Sequence, residues 1–167
     1  MSDYQITNSI VGVQNIADTS TTQNHPLGLL VQAVDRAATA YGAGEFVYLK
    51  GVASTVLGSF VTYNADDNST ALLAANAIGP VATSMSINVA SSYGWYQISG
   101  KVVGKALAGY ADNGLVYATA TAGSIDDAVV AGDRVKLAKG ASAVGTPSSG
   151  LAEFEMQRSF MDDATAA

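Results

Sequence analysis

Residues 93–105 carry the clearest alternation of side chains in this sequence. One set of positions is apolar or small: Tyr96, Ile98, Gly100 and Val102. The other set is more polar after its aromatic start: Trp95, Gln97, Ser99, Lys101 and Val103. Because successive side chains of a strand point to opposite faces, the stretch predicts a long strand with one face in a core. The other face is predicted to meet water or a partner. Gly100 and Gly104 predict a bend, a bulge or close backbone contact, and we expect other strands to wrap around this one.

Shorter runs of apolar, β-branched and aromatic residues predict further strands. They lie at 29–35, 46–51, 56–63 with a kink at Gly58, 70–73, 81–89, 115–121 and 134–139. Turn signals separate them, including the Asn113-Gly114 pair and the Asn and Asp cluster at 64–68. A helix over 27–41 stays open beside the strand at 29–35, since the apolar spacing there fits both. The pattern predicts an all-β fold, an antiparallel barrel or sandwich.

The two ends of the chain read differently from its middle. Residues 1–25 are mostly polar and predict an extended arm, and residues 26–145 predict the β-domain. Residues 146–167 predict a linker and C-terminal tail, in which 151–161 fit either a short helix or an extended segment. Both ends nevertheless contain apolar residues that need a surface to bury against, in the same domain or in a neighbour. These are the candidate interface residues: Ile6, Ile10, Ile16, Leu151, Phe154, Met156 and Phe160.

Composition points to an assembly subunit. Apolar residues make up 49% of the chain and charged residues only 13%, against about 25% in typical soluble domains. Such a weakly charged chain is expected to cover part of its surface with other protein. The net charge is −6 and the lysines are scattered, which argues against nucleic-acid binding. The beginning of the chain does not resemble a signal peptide, and no apolar run is long enough to span a membrane. We therefore expect synthesis in a cytoplasm.

No pattern in the sequence predicts catalysis, a cofactor or a metal. His25 is the only histidine, and we expect an exposed loop residue without a role. Asp66 and Asp67, like Asp126 and Asp127, fit turns better than calcium loops. The chain has no cysteine and no Gly-x-Ser-x-Gly elbow. The aromatic residues fit a core or an interface better than a carbohydrate site. We predict that the protein is not an enzyme.

Three segments carry a resemblance to a known family. They are Gly-Glu-Phe-Val-Tyr-Leu-Lys-Gly-Val at 44–52, Gly-Pro-Val-Ala at 79–82 and Tyr-Gly-Trp-Tyr-Gln-Ile-Ser-Gly-Lys at 93–101. With the pattern over about residues 26–140, they resemble the capsid decoration (cement) proteins of tailed bacteriophages. The resemblance implies a β-rich protein, often a trimer, on the outside of an icosahedral head. There it binds the major capsid protein and clamps adjacent subunits, in many members with terminal arms.

Other virion roles stay open at this point. A carbohydrate- or receptor-binding head-fibre module would present the aromatic residues in a groove. A tail-tube or shell subunit fits less well, because the chain is short for a shell protein and lacks a clear long inter-subunit loop. The sequence leaves open the oligomer number, the symmetry axis occupied, and whether the arms contact other copies or the capsid.

Overall fold

Twelve antiparallel strands form the sheet that builds this protein, which confirms the all-β prediction. The computed structural model describes residues 3–8, 11–37 and 41–162. The strands are β1 (Tyr4–Ile6), β2 (Thr19–Ser20), β3 (Leu30–Asp35), β4 (Ala43–Lys50), β5 (Phe60–Tyr63), β6 (Thr70–Leu72), β7 (Gly79–Ser84), β8 (Tyr93–Lys105), β9 (Leu115–Ala118), β10 (Ile125–Asp126), β11 (Arg134–Gly140) and β12 (Leu151–Met161). The sheet is not closed, so a sandwich-like fold describes it better than a barrel.

Strand β8 is the centre of the sheet, as predicted. Its first half pairs with β4, β2 and β7, and its second half pairs with β12 from Ser99 to Lys105. The predicted strand spans the observed residues, Tyr93–Lys105. Four neighbours therefore share one strand, and its conformation sets how the layers of the fold meet.

The glycines of β8 are needed where other groups approach its backbone. Gly100 has a φ of 102°, and a Cβ there would lie 2.6 Å from the Ala43 carbonyl oxygen. A Cβ at Gly104 would lie 2.4 Å from the Phe60 ring. Ile98 is an extra residue opposite β4, which makes a bulge. Of the bend, bulge or close contact predicted at the two glycines, close contact is confirmed at both.

Both faces of the first half of β8 are buried. Tyr96 and Ile98 lie in one apolar cluster, while Trp95 lies in a second cluster on the opposite face. Trp95 and Gln97 are completely buried, so the expectation that this face meets water or a partner is wrong here. Residues from the N-terminal segment, β3 and β4 cover it: Tyr4, Ile16, Val31, Ala33, Phe46 and Tyr48.

The ambiguous segment 27–41 contains strand β3. β3 pairs with β4 from Leu30 to Val34 and with β1. Its burial alternates along Leu30–Asp35, which fits a strand with one face in the core. The strand alternative is thus confirmed over these residues, while residues 38–40 lie outside the described part of the chain.

The N-terminal residues pack on the domain. β1 pairs with β3, and β2 pairs with the start of β8. Ile16 is only 2% exposed and belongs to the cluster around Trp95. The predicted arm is therefore, in its described part, a segment of the same sheet and core, because its apolar residues find a surface inside their own domain.

The C-terminal residues differ from the predicted tail in the same way. β12 lies inside the sheet between β8, β7 and β11. Its inward positions Ala152, Phe154 and Met156 are buried in the largest core cluster. Alternation of apolar and charged residues along 151–157 is the strand signal that the tail prediction overlooked.

Several predicted strands are shorter than expected, including the one predicted at 115–121, which ends at Ala118. The strand predicted at 56–63 begins only at Phe60, and the one predicted at 81–89 ends at Ser84. The apolar residues beyond these bounds lie in loops. These loops form the candidate site described next.

Candidate interaction surface

Three of the predicted interface residues are unavailable to a partner in this structure. Ile16, Phe154 and Met156 are at most 2% exposed and lie in core clusters of their own domain. Their burial explains why a mostly polar arm and tail contain them. A surface for a partner has to be found elsewhere.

The other predicted interface residues are more accessible or lie outside the description. Ile6 packs at the edge of the Trp95 cluster, and Leu151 is half-buried at the start of β12. Phe160 is 37% exposed, with the Lys136 ammonium group 5.8 Å from its ring centroid. Ile10 lies outside the described residues. The candidates are thus not brought together into one surface.

Two loops lie side by side instead. One connects β4 to β5 (residues 51–59) and the other connects β7 to β8 (residues 85–92); we call them the two-loop surface. The Gly51 N–H donates to the Ser92 carbonyl at 2.7 Å, and the Gly58 N–H donates to the Ser84 carbonyl at 2.9 Å. A Cβ at Gly51 would come within 2.0 Å of the Asn88 carbonyl oxygen. A side chain at position 51 would therefore force the loops apart.

Aliphatic side chains project from both loops into solvent. Val56 and Leu57 are 40% and 43% exposed, and Ile87 and Val89 are 63% and 40% exposed. Single exposed aliphatic residues are common on protein surfaces, but here four of them lie on two adjoining loops, which we interpret as a patch. Such a patch is typical of a surface that another protein covers.

The two-loop surface also lacks charge. No charged residue occurs in residues 51–59 or 85–92, and Asp66 and Asp67 are the only charged residues between Lys50 and Lys101. Interface centres are depleted of charged residues, because a charge buried against a partner loses its hydration. This gap in charge was the sequence signal that could have located the surface. It was missed because the apolar residues were assigned to strands.

A buried hydrogen bond holds the second loop in place. Asn88 is completely buried, and its Nδ2 donates to the Tyr96 hydroxyl at 2.9 Å. Burial raises the pKa of Tyr96 to about 12, although the hydrogen bond from Asn88 acts in the opposite direction. Tyr96 therefore stays protonated at neutral pH. The side chains of Ile87 and Val89, on either side of Asn88, point outward.

The described residues contain no group of three or more His, Asp or Glu residues that could hold a metal ion. Asp66 and Asp67 lie in a turn, as predicted, whereas Asp126 lies in strand β10 and pairs with Tyr117, so the turn prediction is wrong for Asp126. The Asp66 N–H bonds to Asn64 Oδ1 at 2.8 Å, and the Ser69 N–H bonds to Asp67 Oδ1 at 2.9 Å. The hydrogen bonds to Ser69 lower the pKa of Asp67. These side chains cap their own backbone, as Asn and Asp do in turns.

The prediction for His25 is corrected by the structure. His25 is only 8% exposed and its ring lies 5.0 Å from the Tyr48 ring and 5.7 Å from the Trp95 ring. A polar sequence before a proline predicted an exposed loop. The burial arises because the N-terminal segment folds back over Trp95.

Most of the aromatic residues that would have to line a carbohydrate site are buried. Phe46, Tyr48, Phe60, Trp95 and Tyr96 are completely buried. Tyr63 lines a surface groove of about 340 Å³, and none of the other described residues lining that groove is aromatic. These five buried side chains are therefore not available for a sugar ring to stack on.

Comparison with known proteins gives no assignment. No family model matches the chain, and no significant match was found among curated proteins or solved structures. Among the described residues, no helix has the length and apolar character needed to cross a membrane.

Proposed function

We propose that this protein is a non-catalytic structural subunit that docks on the outer surface of a bacteriophage capsid, as a decoration protein. The observation that carries the proposal is the two-loop surface, which is exposed, aliphatic and uncharged. The resemblance of residues 44–52, 79–82 and 93–101 to decoration proteins supports the same role. The partner in this proposal is the major capsid protein.

Docking through such a surface has a simple physical basis. Burial of aliphatic side chains contributes about 25 cal/mol per Å², and no charge has to lose its hydration. One small patch gives a modest affinity, but a trimer presents three copies to a shell of repeated subunits. Linked contacts of this kind multiply in strength without any new contact. We therefore propose that the protein acts as a trimer.

The structure changes the place where contact is expected. The sequence pointed to the terminal arm and tail, yet their described apolar residues mostly serve their own core. The two-loop surface takes over this role in the proposal. A truncation of the termini would remove strands of the sheet, so point substitutions in the loops are the better test.

The test is binding of purified protein to expanded heads of the phage whose genome encodes the chain, measured by co-sedimentation. Ile87→Asp places a charge in the two-loop surface, and we expect a loss of binding of at least about 30-fold. Val129→Asp is the matched control, since Val129 is also an exposed aliphatic residue, at 77%, but lies on the loop between β10 and β11. Equal binding by the two variants would contradict the proposal.

Two further measurements separate this role from the alternatives. Light scattering after size-exclusion chromatography gives the oligomeric state, and a monomer would contradict the trimer. For a carbohydrate-binding module, added sugars would shift the emission of Trp95. With Trp95 completely buried, we expect a blue-shifted emission that sugars leave unchanged.

A further inference from the structure

Gln14 is the point at which the N-terminal segment is fastened to the sheet. Its carbonyl accepts from the Trp95 indole Nε1–H at 3.0 Å, and its backbone N–H donates to His25 Nε2 at 3.0 Å. Its side-chain oxygen accepts from Asn24 Nδ2 at 2.9 Å and its side-chain nitrogen donates to the Asp18 carbonyl at 2.7 Å. Every polar group of Gln14 is thus engaged.

His25 takes part in this attachment of the N-terminal segment to the sheet. The bond from Gln14 requires an unprotonated Nε2, because a backbone N–H needs an acceptor. The imidazole lies edge-on to Tyr48, with an interplanar angle of 81°, and is tilted by 35° against Trp95. At 8% exposure the ring has little room to turn away while residues 11–25 stay in place.

Protonation of Nε2 would set two N–H donors against each other. The bond would be lost, and a charged ring would be left with little contact with water. We infer that residues 11–25 form an acid-sensitive strap, held over Trp95 by neutral His25 and loosened when His25 takes up a proton. Because the loosened state then carries one more proton, acid shifts the equilibrium toward it.

Three elements place other titratable groups near His25, the residue that we propose responds in mildly acidic solution. From β4, Tyr48 faces the ring, and burial raises the pKa of Tyr48 further from this range. From β8, Tyr93 stacks on Tyr48 with ring centroids 6.5 Å apart. From the strap itself, Asp18 is exposed and its carboxylate accepts from Asn15 Nδ2 at 3.2 Å. His25 is the only histidine, and there is no cysteine.

Loosening is expected to be partial. The strap is also held by Ile16 in the Trp95 cluster and by the pairing of β2 with β8. Acid therefore raises the fraction of molecules in which the strap is open and does not detach it fully. This inference does not depend on the proposed capsid binding, since it concerns the isolated protein.

The single tryptophan makes the test direct. Its indole N–H gives one resonance in a proton–nitrogen correlation spectrum, and its hydrogen exchange reports the bond to Gln14. The protection factor, corrected for intrinsic exchange, is measured between about pH 8 and pH 5. We expect it to fall, by at most about tenfold per pH unit, as long as the open state carries one more proton than the closed state.

His25→Gln is the control, since a glutamine oxygen accepts the same bond and does not titrate. We expect its protection factor to be constant over this range, and an equal fall in the variant would overturn the inference. If the variant does not fold, the wild-type protein suffices. A protection factor that stays constant between about pH 8 and pH 5 in the wild-type protein would then overturn the inference.

Discussion

The two-loop surface and the outer face of β12 are both exposed, yet they are built on opposite principles. The first has aliphatic side chains and no charge in residues 51–59 and 85–92. The second is a row of ion pairs to the neighbouring strands β4, β8 and β11. These are Lys101–Glu153 at 2.8 Å, Lys139–Glu155 at 3.7 Å and Arg158–Glu45 at 3.0 Å, with Lys136–Asp162 at the end of the strand. We interpret the first as a surface for a partner and the second as a surface for water.

This contrast shows how a chain with only 13% charged residues can keep one surface in water and leave another uncharged for a proposed partner. Charges are concentrated on a face of the sheet that stays in contact with water. They are absent where the proposed partner would have to strip their hydration. A uniform distribution of the same charges would serve neither purpose as well.

The largest expected effect comes from the inner face of β12. Phe154 is completely buried, with its ring 5.2 Å from Phe60 and 5.3 Å from Tyr110. Phe154→Ala should lower the free energy of unfolding by about 3–5 kcal/mol, because it removes a large apolar group and leaves a cavity. Glu155→Ala, one residue along but on the outer face, should cost less than about 1 kcal/mol. Urea unfolding measures both, and similar losses would refute the assignment of the two faces.

A smaller effect is expected from the hydrogen bond behind the two-loop surface. Tyr96→Phe leaves the buried Nδ2 of Asn88 without its acceptor, which should cost about 1–3 kcal/mol of stability. Head binding should weaken as well, since residues 85–92 lose their anchor. Tyr63→Phe is a suitable control in a half-buried tyrosine of β5, with an expected change of less than about 0.5 kcal/mol. Undiminished head binding by Tyr96→Phe would mean that this bond does not shape the surface.

The smallest effect is a dependence on pH confined to the ion-paired face. The hydrogen bond from Arg158 lowers the pKa of Glu45 below its usual value of 4.5. A lowered pKa in the folded state gives stability that is fully present above the usual value and is lost as the pH falls through the folded one. Wild type should therefore exceed Glu45→Gln in stability at about pH 6 and lose this advantage toward about pH 3.

Head binding through the two-loop surface, measured over the same pH range, is the comparison for this prediction. The two loops contain no ionisable side chain, so head binding should not follow the titration of Glu45. Urea unfolding of wild type and Glu45→Gln at both pH values tests the first part. A stability difference that does not change with pH would contradict the role given to the Arg158–Glu45 pair.

Much of the fold could be predicted from side-chain alternation and turn chemistry. Strand β8 was predicted with its observed bounds, and Asn113 has the positive φ, 59°, expected of an Asn-Gly turn. These signals are local, since they depend on neighbouring residues only. They were sufficient for strands that can be recognised without knowing which strands pair with them.

The candidate surface could not be predicted in the same way. Ile87 and Val89 continue the apolar alternation of β7, and only the end of that strand at Ser84 and the exposure of both side chains show that they lie on a loop and point outward. His25 lies in a polar stretch of sequence, yet it is buried because the N-terminal segment folds back over Trp95. Whether an apolar residue such as Ile16 or Ile87 lies inside or outside depends on tertiary packing, which a one-dimensional pattern does not contain.

The position of β12 in the sheet has a consequence for how the protein folds. Its ion pair with β4 joins Arg158 to Glu45, residues 113 positions apart, and its longest pairing is with the central strand β8. Sheets assembled from such distant segments fold in about milliseconds to seconds, because the entropy of closing long loops opposes each pairing. Until β12 arrives, the edges of β8 and β11 are open templates for a strand from another chain. When many copies are synthesised close together, aggregation would therefore depend on how fast β12 pairs more than on how stable the finished sheet is.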